Sequence, residues 1–386
     1  MIETDDDGPL KRTGVPSLAW ATSQLGWIAG PISLIIFSII TWFFSCLLAG
    51  CYRFSGPLLG SRNFTYTAAD TITASISMGA IGRSKCFHKK GHNGGCHASN
   101  NVYMIIFGNT QIILSQTPNF HQLSGLSIVA ALMSFAYSST GLGLSIAKIA
   151  GGKHVRTSLV GATSGVDMRR AEKAWNILQA LGDIAFAYSY SVVLTEIQDT
   201  LKSRPPENKV MRKASLVGVL ITTIFYILCG TLGYAAFGDE APGNLLTGFG
   251  FYEPFWLVDL ANMRIVVHLV GAYQVFSQPT VKLVEDWCNQ KWPESSFLTK
   301  EHSIGTPYCG VYQVNFFSLL WRTAYVTVTS MMAMIFPFFN SVLGFLGAIF
   351  PFRDLACLLV SLVAAVACIR GIVMDLHSFQ PFKSVS

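Results

Sequence analysis

The sequence predicts an all-α integral membrane protein. Of its 386 residues, 51% are hydrophobic and only 12% are charged, whereas soluble domains contain about 25% charged residues. Long apolar runs recur along the chain, and about 20 apolar residues form a helix that crosses a bilayer. The net charge of +6 suits loops that face anionic lipid. We therefore expect a lipid bilayer around the protein and no nucleic-acid partner.

Eight apolar stretches are long enough, or nearly so, to cross the bilayer. They cover residues 31–52, 101–117, 124–147, 174–195, 215–238, 255–279, 315–339 and 355–376. Three further stretches, at residues 17–30, 71–82 and 341–350, are apolar but too short. The sequence thus predicts eight full spans plus three truncated ones. Residues 1–16 are expected to form a cytoplasmic N-terminal tail, and residues 17–386 a single membrane domain.

Loop charges and a helix-breaking pair set the predicted path of the chain. The pair Gly30-Pro31 predicts a break, with only half a span ahead of it. The basic segment 201–213 (LKSRPPENKVMRK) is expected on the cytoplasmic side, because basic loops remain there. The acidic segment 238–253, one span later, is then expected on the outside.

Residues 182–191 (GDIAFAYSYS) carry the strongest functional signal. Asp183 and several hydroxyl groups lie in a membrane-spanning stretch, where polar groups are costly unless they face a cavity or a partner. If the helix unwinds here, its free backbone groups could bind a substrate, as in many secondary transporters. The alternative is a packed helix whose serines bond to backbone carbonyls and whose tyrosines reach the interface. The carboxylate beside Gly182 favours a functional site.

Residues 255–279 contain a second set of polar groups. Asp259 and Asn262 are three residues apart and so share one face of a helix. A proton relay through Asp259 or His268 is one interpretation. The other is that Asp259 lies near the membrane interface and only orients the helix.

Residues 86–97 (CFHKKGHNGGCH) combine cysteines and histidines. Such ligands could bind zinc, but their spacing matches no standard zinc finger. A disulfide between Cys86 and Cys96 is favoured, and no metal is expected. The sequence contains no nucleotide-binding glycine motif, nucleophile elbow or HExxH motif. We therefore predict neither an enzyme nor a cofactor.

Several long runs resemble one family. They are SLAWATSQLGWIAGP (17–31), RNFTYTAAD (62–70), ALGDIAFAYSYSVVLTEIQDTLKS (180–203), YAAFGDEAPGNLLTGFGFYEPFWLVDLAN (234–262) and HLVGAYQVFSQP (268–279). Together they resemble the plant amino acid permeases of the amino acid/auxin permease family, over nearly the whole chain. The resemblance implies a proton-coupled amino acid symporter at the plasma membrane, with a broken-helix, inverted-repeat transporter core of eleven helices.

The resemblance also implies where an amino acid binds. In such a core the substrate lies between the unwound points of helices 1 and 6. The implied contacts of helix 1 are Ser17, Leu18 and Ala19, and those of helix 6 are Phe186, Ala187, Tyr188 and Ser189. Asp183 is expected to support the site or the proton step, and Asp259 and Asn262 are further candidates for coupling or support.

The chain departs from the family pattern at three places. A glycine-containing stretch is missing ahead of residue 17, most of helix 3 is missing between residues 70 and 71, and helix 10 is missing after residue 350. These gaps coincide with the three short segments. An alternative function follows, namely a non-transporting truncated isoform that associates with full-length homologues and regulates them.

Overall fold

The computed structural model describes residues 15–51, 63–91, 96, 100–116, 124–152, 155–161, 170–190, 194–199, 201, 206–249, 255–306 and 310–335. Within these ranges the chain forms ten α-helices: α1 (Leu18–Cys51), α2 (Asn63–Lys90), α3 (Asn100–Ser115), α4 (Ser124–Ala150), α5 (Arg170–Ala187), α6 (Leu194–Asp199), α7 (Glu207–Phe237), α8 (Phe255–Lys291), α9 (Ser296–Thr299) and α10 (Phe316–Ile335). An antiparallel hairpin of β1 (Glu301–Thr306) and β2 (Gly310–Asn315) joins α9 to α10. The predicted helical fold is therefore found, with this small hairpin as an addition.

Four of the described helical segments are long and apolar enough to cross a membrane. They are Leu18–Ala49, Gly125–Ala150, Glu207–Glu240 and Phe255–Lys291. Large apolar side chains on their outer surfaces are exposed, including Ile39, Leu132 and Ile224 at 58%, 60% and 58%. Lipid tails would cover such surfaces, which supports a multi-pass membrane protein. The full count of eight plus three spans stays a prediction, because residues 341–350 and 355–376 lie outside the described residues.

α1 is two helices that reverse direction at Gly26. Gly26 has non-helical backbone angles (φ 83°, ψ 178°). Residues 22 and 30 would be about 12 Å apart in one straight helix, yet a Cβ atom on Gly30 would lie only 2.9 Å from Thr22 Cγ2. Leu18–Leu25 is therefore a half-helix that packs back on the longer helix after Gly26. The predicted half-span exists, but its break lies four residues earlier than Gly30-Pro31.

Residues 155–161 hold this reversal in place. The Trp27 N–H donates to the Ser158 carbonyl (3.3 Å). The Ser158 N–H donates to the Tyr234 hydroxyl oxygen (2.7 Å), and the Tyr234 hydroxyl lies 2.9 Å from Asp239 Oδ1. These bonds join the reversal to the end of α7, so α1, the segment 155–161 and α7 form one unit.

α2 extends beyond the apolar stretch predicted at residues 71–82. The helix is continuous from Asn63 to Lys90, with a length of about 42 Å, but it is not among the described helices that are apolar enough to cross a membrane, so the truncated span stays a prediction. The residues before Thr71 combine Phe64 and Tyr66 with polar and small residues and so do not extend the apolar stretch. They are helical because part of this helix packs on α8 and α10, where Thr67 and Ala68 are buried.

Side-chain contacts place two loops on the same side of the molecule. The His88 and Phe255 rings lie 3.5 Å apart between centroids, so the end of α2 lies beside the start of α8. The acidic residues 238–253 come directly before Phe255. If the basic segment 201–213 is cytoplasmic, as predicted, the loop after α2 lies outside together with the acidic segment.

We expect Gly26→Ala to destabilise the protein. A positive φ costs an L-residue about 1–2 kcal/mol, and the new Cβ would overlap backbone atoms of Leu159 and Gly161. The free energy of unfolding should therefore fall by at least about 1–2 kcal/mol. Thermal unfolding of the detergent-solubilised protein measures the effect.

Gly218→Ala is the matched control, because a Cβ there meets nothing within 4 Å. This helical glycine should tolerate alanine or be stabilised by it. Equal unfolding temperatures for both variants would contradict the close-packed reversal.

Candidate substrate site

The helix interruption predicted within residues 182–191 is present. α5 ends at Ala187 and α6 begins at Leu194. The Tyr188 N–H still donates to the Ile184 carbonyl (3.3 Å), and residues 189–190 form a short 3₁₀ turn. The Ala187 carbonyl accepts a hydrogen bond from the Tyr226 hydroxyl (3.0 Å). A side chain of α7 thus satisfies a backbone group that the interruption releases, as a low-dielectric environment requires.

Tyr188 is at the centre of a chain of hydroxyl groups. Its side chain is buried, with 3% exposed, and its hydroxyl donates to Thr223 Oγ1 (3.1 Å). The Thr223 hydroxyl lies 2.9 Å from Ser38 Oγ. The chain therefore links α5, α7 and the longer helix of α1. Sequence reasoning missed Thr223 and Ser38, since single hydroxyls in apolar spans carry no local signal.

The structure brings the half-helix of α1 to this interruption. Ser17, Leu18 and Ala19 are almost completely buried, with 1%, 0% and 1% exposed. Leu18 and Tyr188 belong to one buried apolar cluster, and Ala187 packs against it. The two elements that the resemblance predicted to share a substrate site are therefore in contact.

Phe186 lies on another side of α5. Phe186 packs against a different cluster, which includes Met104 of α3 and Ala333 of α10. Asp183 is buried, with 6% exposed, one turn before Ala187. Phe186 is therefore separated from the Leu18–Tyr188 contact.

The hydroxyls after Tyr188 are engaged within the protein. The Ser189 hydroxyl donates to the Phe186 carbonyl, which is the bonding pattern of the structural alternative for this segment. Tyr190 Oη lies 2.6 Å from Ser45 Oγ on α1. Ser189 thus stabilises the end of α5 in this conformation.

The candidates on α8 lie in other surroundings. Asp259 interacts with Ser84, Lys85 and His88 near the end of α2, which agrees with a position near the membrane interface. Asn262 is buried and donates to the Val258 carbonyl of its own helix (3.0 Å). These contacts connect Asp259 to α2, and the role predicted for both residues stays a prediction.

Cys86 and Cys96 form a disulfide bond, with an S–S distance of 2.03 Å. This is the pairing that the sequence favoured over a zinc site. In the described part of the chain, no group of three or more His, Cys, Asp or Glu side chains could hold a metal ion. The bond links the last turns of α2 to Cys96, four residues before the start of α3.

The structure also contains an ion pair in the bundle that the sequence did not indicate. Arg322 of α10 forms two hydrogen bonds with the Glu285 carboxylate, of 2.9 and 3.0 Å, and donates to the Ser115 carbonyl at the end of α3 (2.9 Å). An arginine within the apolar stretch 315–339 could have drawn attention, because charges in such stretches are rare without partners. The pair joins α3, α8 and α10.

Comparison with known proteins identifies relatives along almost the whole chain. Residues 12–69 and 58–353 match the family described as "Transmembrane amino acid transporter protein". Amino acid permease 6 of Arabidopsis thaliana is 51% identical, with 98% of this chain and 95% of the relative covered. Amino acid permease 8 of the same plant is 49% identical, with 99% and 96% covered. The resemblance to plant amino acid permeases is thus confirmed, and these relatives are transporters rather than enzymes.

A solved structure gives a weaker likeness. It is a Na⁺-coupled sialic acid symporter in a substrate-bound, outward-open state, with a TM-score of 0.40 and 11% sequence identity over 96% of this chain and 91% of that chain.

The pattern of matches agrees with internal gaps. The alignment with Amino acid permease 6 extends over 455 residues, although this chain has only 386. The family match consists of two segments that overlap at residues 58–69, and the second segment ends at residue 353. These points lie beside two of the three predicted gaps, after residues 70 and 350.

We expect Tyr188 and Thr223 to be energetically coupled. Tyr188→Phe and Thr223→Val each remove the bond between their hydroxyls, and a buried hydrogen bond contributes about 0.5–1.5 kcal/mol. A double-mutant cycle on unfolding free energies should give a coupling of this size.

Thr222→Val is the control, since the Thr222 hydroxyl donates to the Gly218 carbonyl of its own helix, on the exposed side of α7. It should be additive with Tyr188→Phe. Additivity of Tyr188→Phe with Thr223→Val as well would show that the described bond contributes nothing.

Proposed function

This chain belongs to the transmembrane amino acid transporter protein family, and on that premise we propose that it carries amino acids across a membrane by proton-coupled symport. The contact between the half-helix of α1 and the interrupted helix α5 supports the proposal most directly. Leu18 and Tyr188 share one buried cluster at this contact. We also propose the plasma membrane as its location, following the resemblance.

The position of the half-helix suits a substrate site near mid-membrane. Gly26 lies beside residues 155–161 and the end of α7, on the side proposed to be external. From there Leu18 is about 12 Å along the helix axis, roughly half-way into a hydrocarbon core of about 30 Å. Half-helix termini at this depth are the usual binding elements of broken-helix transporters.

The chemistry of the two elements suits an amino acid. The N-terminal end of the half-helix, at Ser17 and Leu18, carries a partial positive charge that favours a carboxylate. The apolar ring of Tyr188 and the face of Leu18 form a wall for an aliphatic or aromatic side chain. In the described conformation these groups contact each other, so we propose that substrate binding separates them.

Asp183 is the proposed supporting carboxylate. It is buried on α5 one turn before the interruption. A carboxylate at this position can hold the substrate's amino group or take part in the proton step, and membrane carboxylates generally mark such roles.

A non-transporting regulatory isoform is the second candidate. One observation favours it: the permeases that align with this chain contain residues that have no counterpart in it. A half-helix without its preceding half leaves one wall of the site incomplete. The intact helices would then associate with full-length homologues and lower their activity.

Uptake of labelled amino acids tests the first proposal. In transport-deficient yeast, we expect uptake that requires an inward proton gradient and falls at least about tenfold in Asp183→Asn, a loss of about 1.4 kcal/mol of transition-state stabilisation. Glu172→Gln is the matched control, because Glu172 is an exposed carboxylate on the same helix. No uptake despite surface expression would exclude transport by this chain.

Co-expression with a full-length permease tests the second proposal. A regulatory isoform should lower the uptake of the permease at unchanged surface amounts of that permease. Independent, additive uptake by the two proteins would contradict regulation.

A further inference from the structure

A second set of buried polar groups lies between α2, α8 and α10. Thr67 and Asp70 are one turn apart on α2, Tyr273 is on α8 and Tyr325 is on α10. Thr67 and Tyr273 are 0% exposed and Tyr325 is 3% exposed. Asp70 is half-buried as a residue, with its Oδ2 atom buried, and the proposed substrate site does not use it.

Hydrogen-bond geometry fixes the direction of one hydroxyl in this set. Tyr273 Oη lies 2.7 Å from Thr329 Oγ1. The Thr329 hydroxyl donates its one hydrogen to the Val326 carbonyl (2.9 Å). Tyr273 therefore donates to Thr329, so its hydroxyl hydrogen is not available to a neighbouring carboxylate.

Asp70 belongs to the same set of polar groups. It interacts electrostatically with both Tyr273 and Tyr325, and Thr67 Oγ1 lies 3.3 Å from Tyr325 Oη. Asp70 as a residue is partly exposed, but its Oδ2 atom is buried and has no hydrogen-bond partner among the described residues. A buried carboxylate oxygen without a donor is costly, and a proton bound to the group removes its charge.

The charges around Asp70 also favour a bound proton. Among the described residues, the titratable groups that interact with it are Tyr273 from α8 and Tyr325 from α10, and neither is a cation. A buried carboxylate without a cationic partner is costly, and protonation removes that cost. The environment therefore suits reversible neutralisation.

We propose that Asp70 is a proton-binding site, in which one proton from water adds to a carboxylate oxygen. No other bond forms or breaks. That Asp70 binds a proton does not depend on the proposed symport function. That this proton is the coupling proton rests on that function. Protonation would change the charge at the meeting point of α2, α8 and α10, and so their packing.

Infrared difference spectroscopy of the purified protein in liposomes tests proton binding without any need for transport. Between high and low pH, we expect a carbonyl band of a protonated carboxyl group in the wild type. The band should be lost in Asp70→Asn and retained in Asp70→Glu and in the exposed-site control Glu172→Gln. Identical bands in Asp70→Asn and the wild type would overturn the proposal.

Labelling of the wild type keeps the proposal testable if Asp70→Asn fails to fold. A hydrophobic carbodiimide modifies protonated carboxyl groups, so peptide mass spectrometry should find an adduct on Asp70 that becomes rarer as pH rises. Folded, labelled protein with Asp70 unmodified at every pH would overturn the proposal.

Uptake separates the coupling role from the proposed function. If the wild type transports, Asp70→Asn should reduce the gradient-dependent part of uptake at least tenfold, and unchanged gradient dependence would exclude Asp70 from coupling. A wild type with the infrared band but no uptake would refute the proposed function and leave the proton site standing.

Discussion

The close approach of the Leu18–Leu25 half-helix to α7 is the contact on which the candidate site depends. A half-helix of about two turns cannot span a bilayer or bury its backbone ends alone. α7 allows it to approach closely: a Cβ atom on Gly233 would lie 2.5 Å from the Ala19 Cβ. Small residues at helix contacts permit such packing in membranes, where no hydrophobic force drives helices together. α7 thereby holds Leu18 at the depth of Tyr188.

α7 also stabilises the interruption of α5. Tyr226 bonds the Ala187 carbonyl, and Thr223 bonds Tyr188. Both partners lie on the helix that supports the half-helix, so a single element positions both parts of the site. Movement of α7 relative to α5 would therefore alter the site as a whole, which is the behaviour that alternating access requires.

The sequence predicted the class of fold and the interruption of α5, because both follow from local composition. It placed the reversal of α1 at Gly30-Pro31, because proline usually breaks a helix. The reversal is at Gly26 instead, and Pro31 lies near the start of the helix that follows, where proline is tolerated. The positive φ of Gly26 is stabilised by residues 155–161, more than a hundred positions away. It began the apolar stretch at residue 71, whereas α2 begins at Asn63, because a rule of apolar length ignores polar residues that pack inside a bundle. The surroundings of Asp70 depend on Tyr273 and Tyr325, 203 and 255 positions along the chain, and no local pattern shows such a meeting.

The bond between Cys86 and Cys96 has a consequence for biosynthesis. Thiols stay reduced in the cytosol and become oxidised in the lumen of the endoplasmic reticulum. The oxidised pair in cellular protein would therefore be a chemical record that the end of α2 had been translocated during insertion. Because α2 is one continuous helix from Asn63 to Lys90, this record would also report the orientation of the whole helix in the membrane.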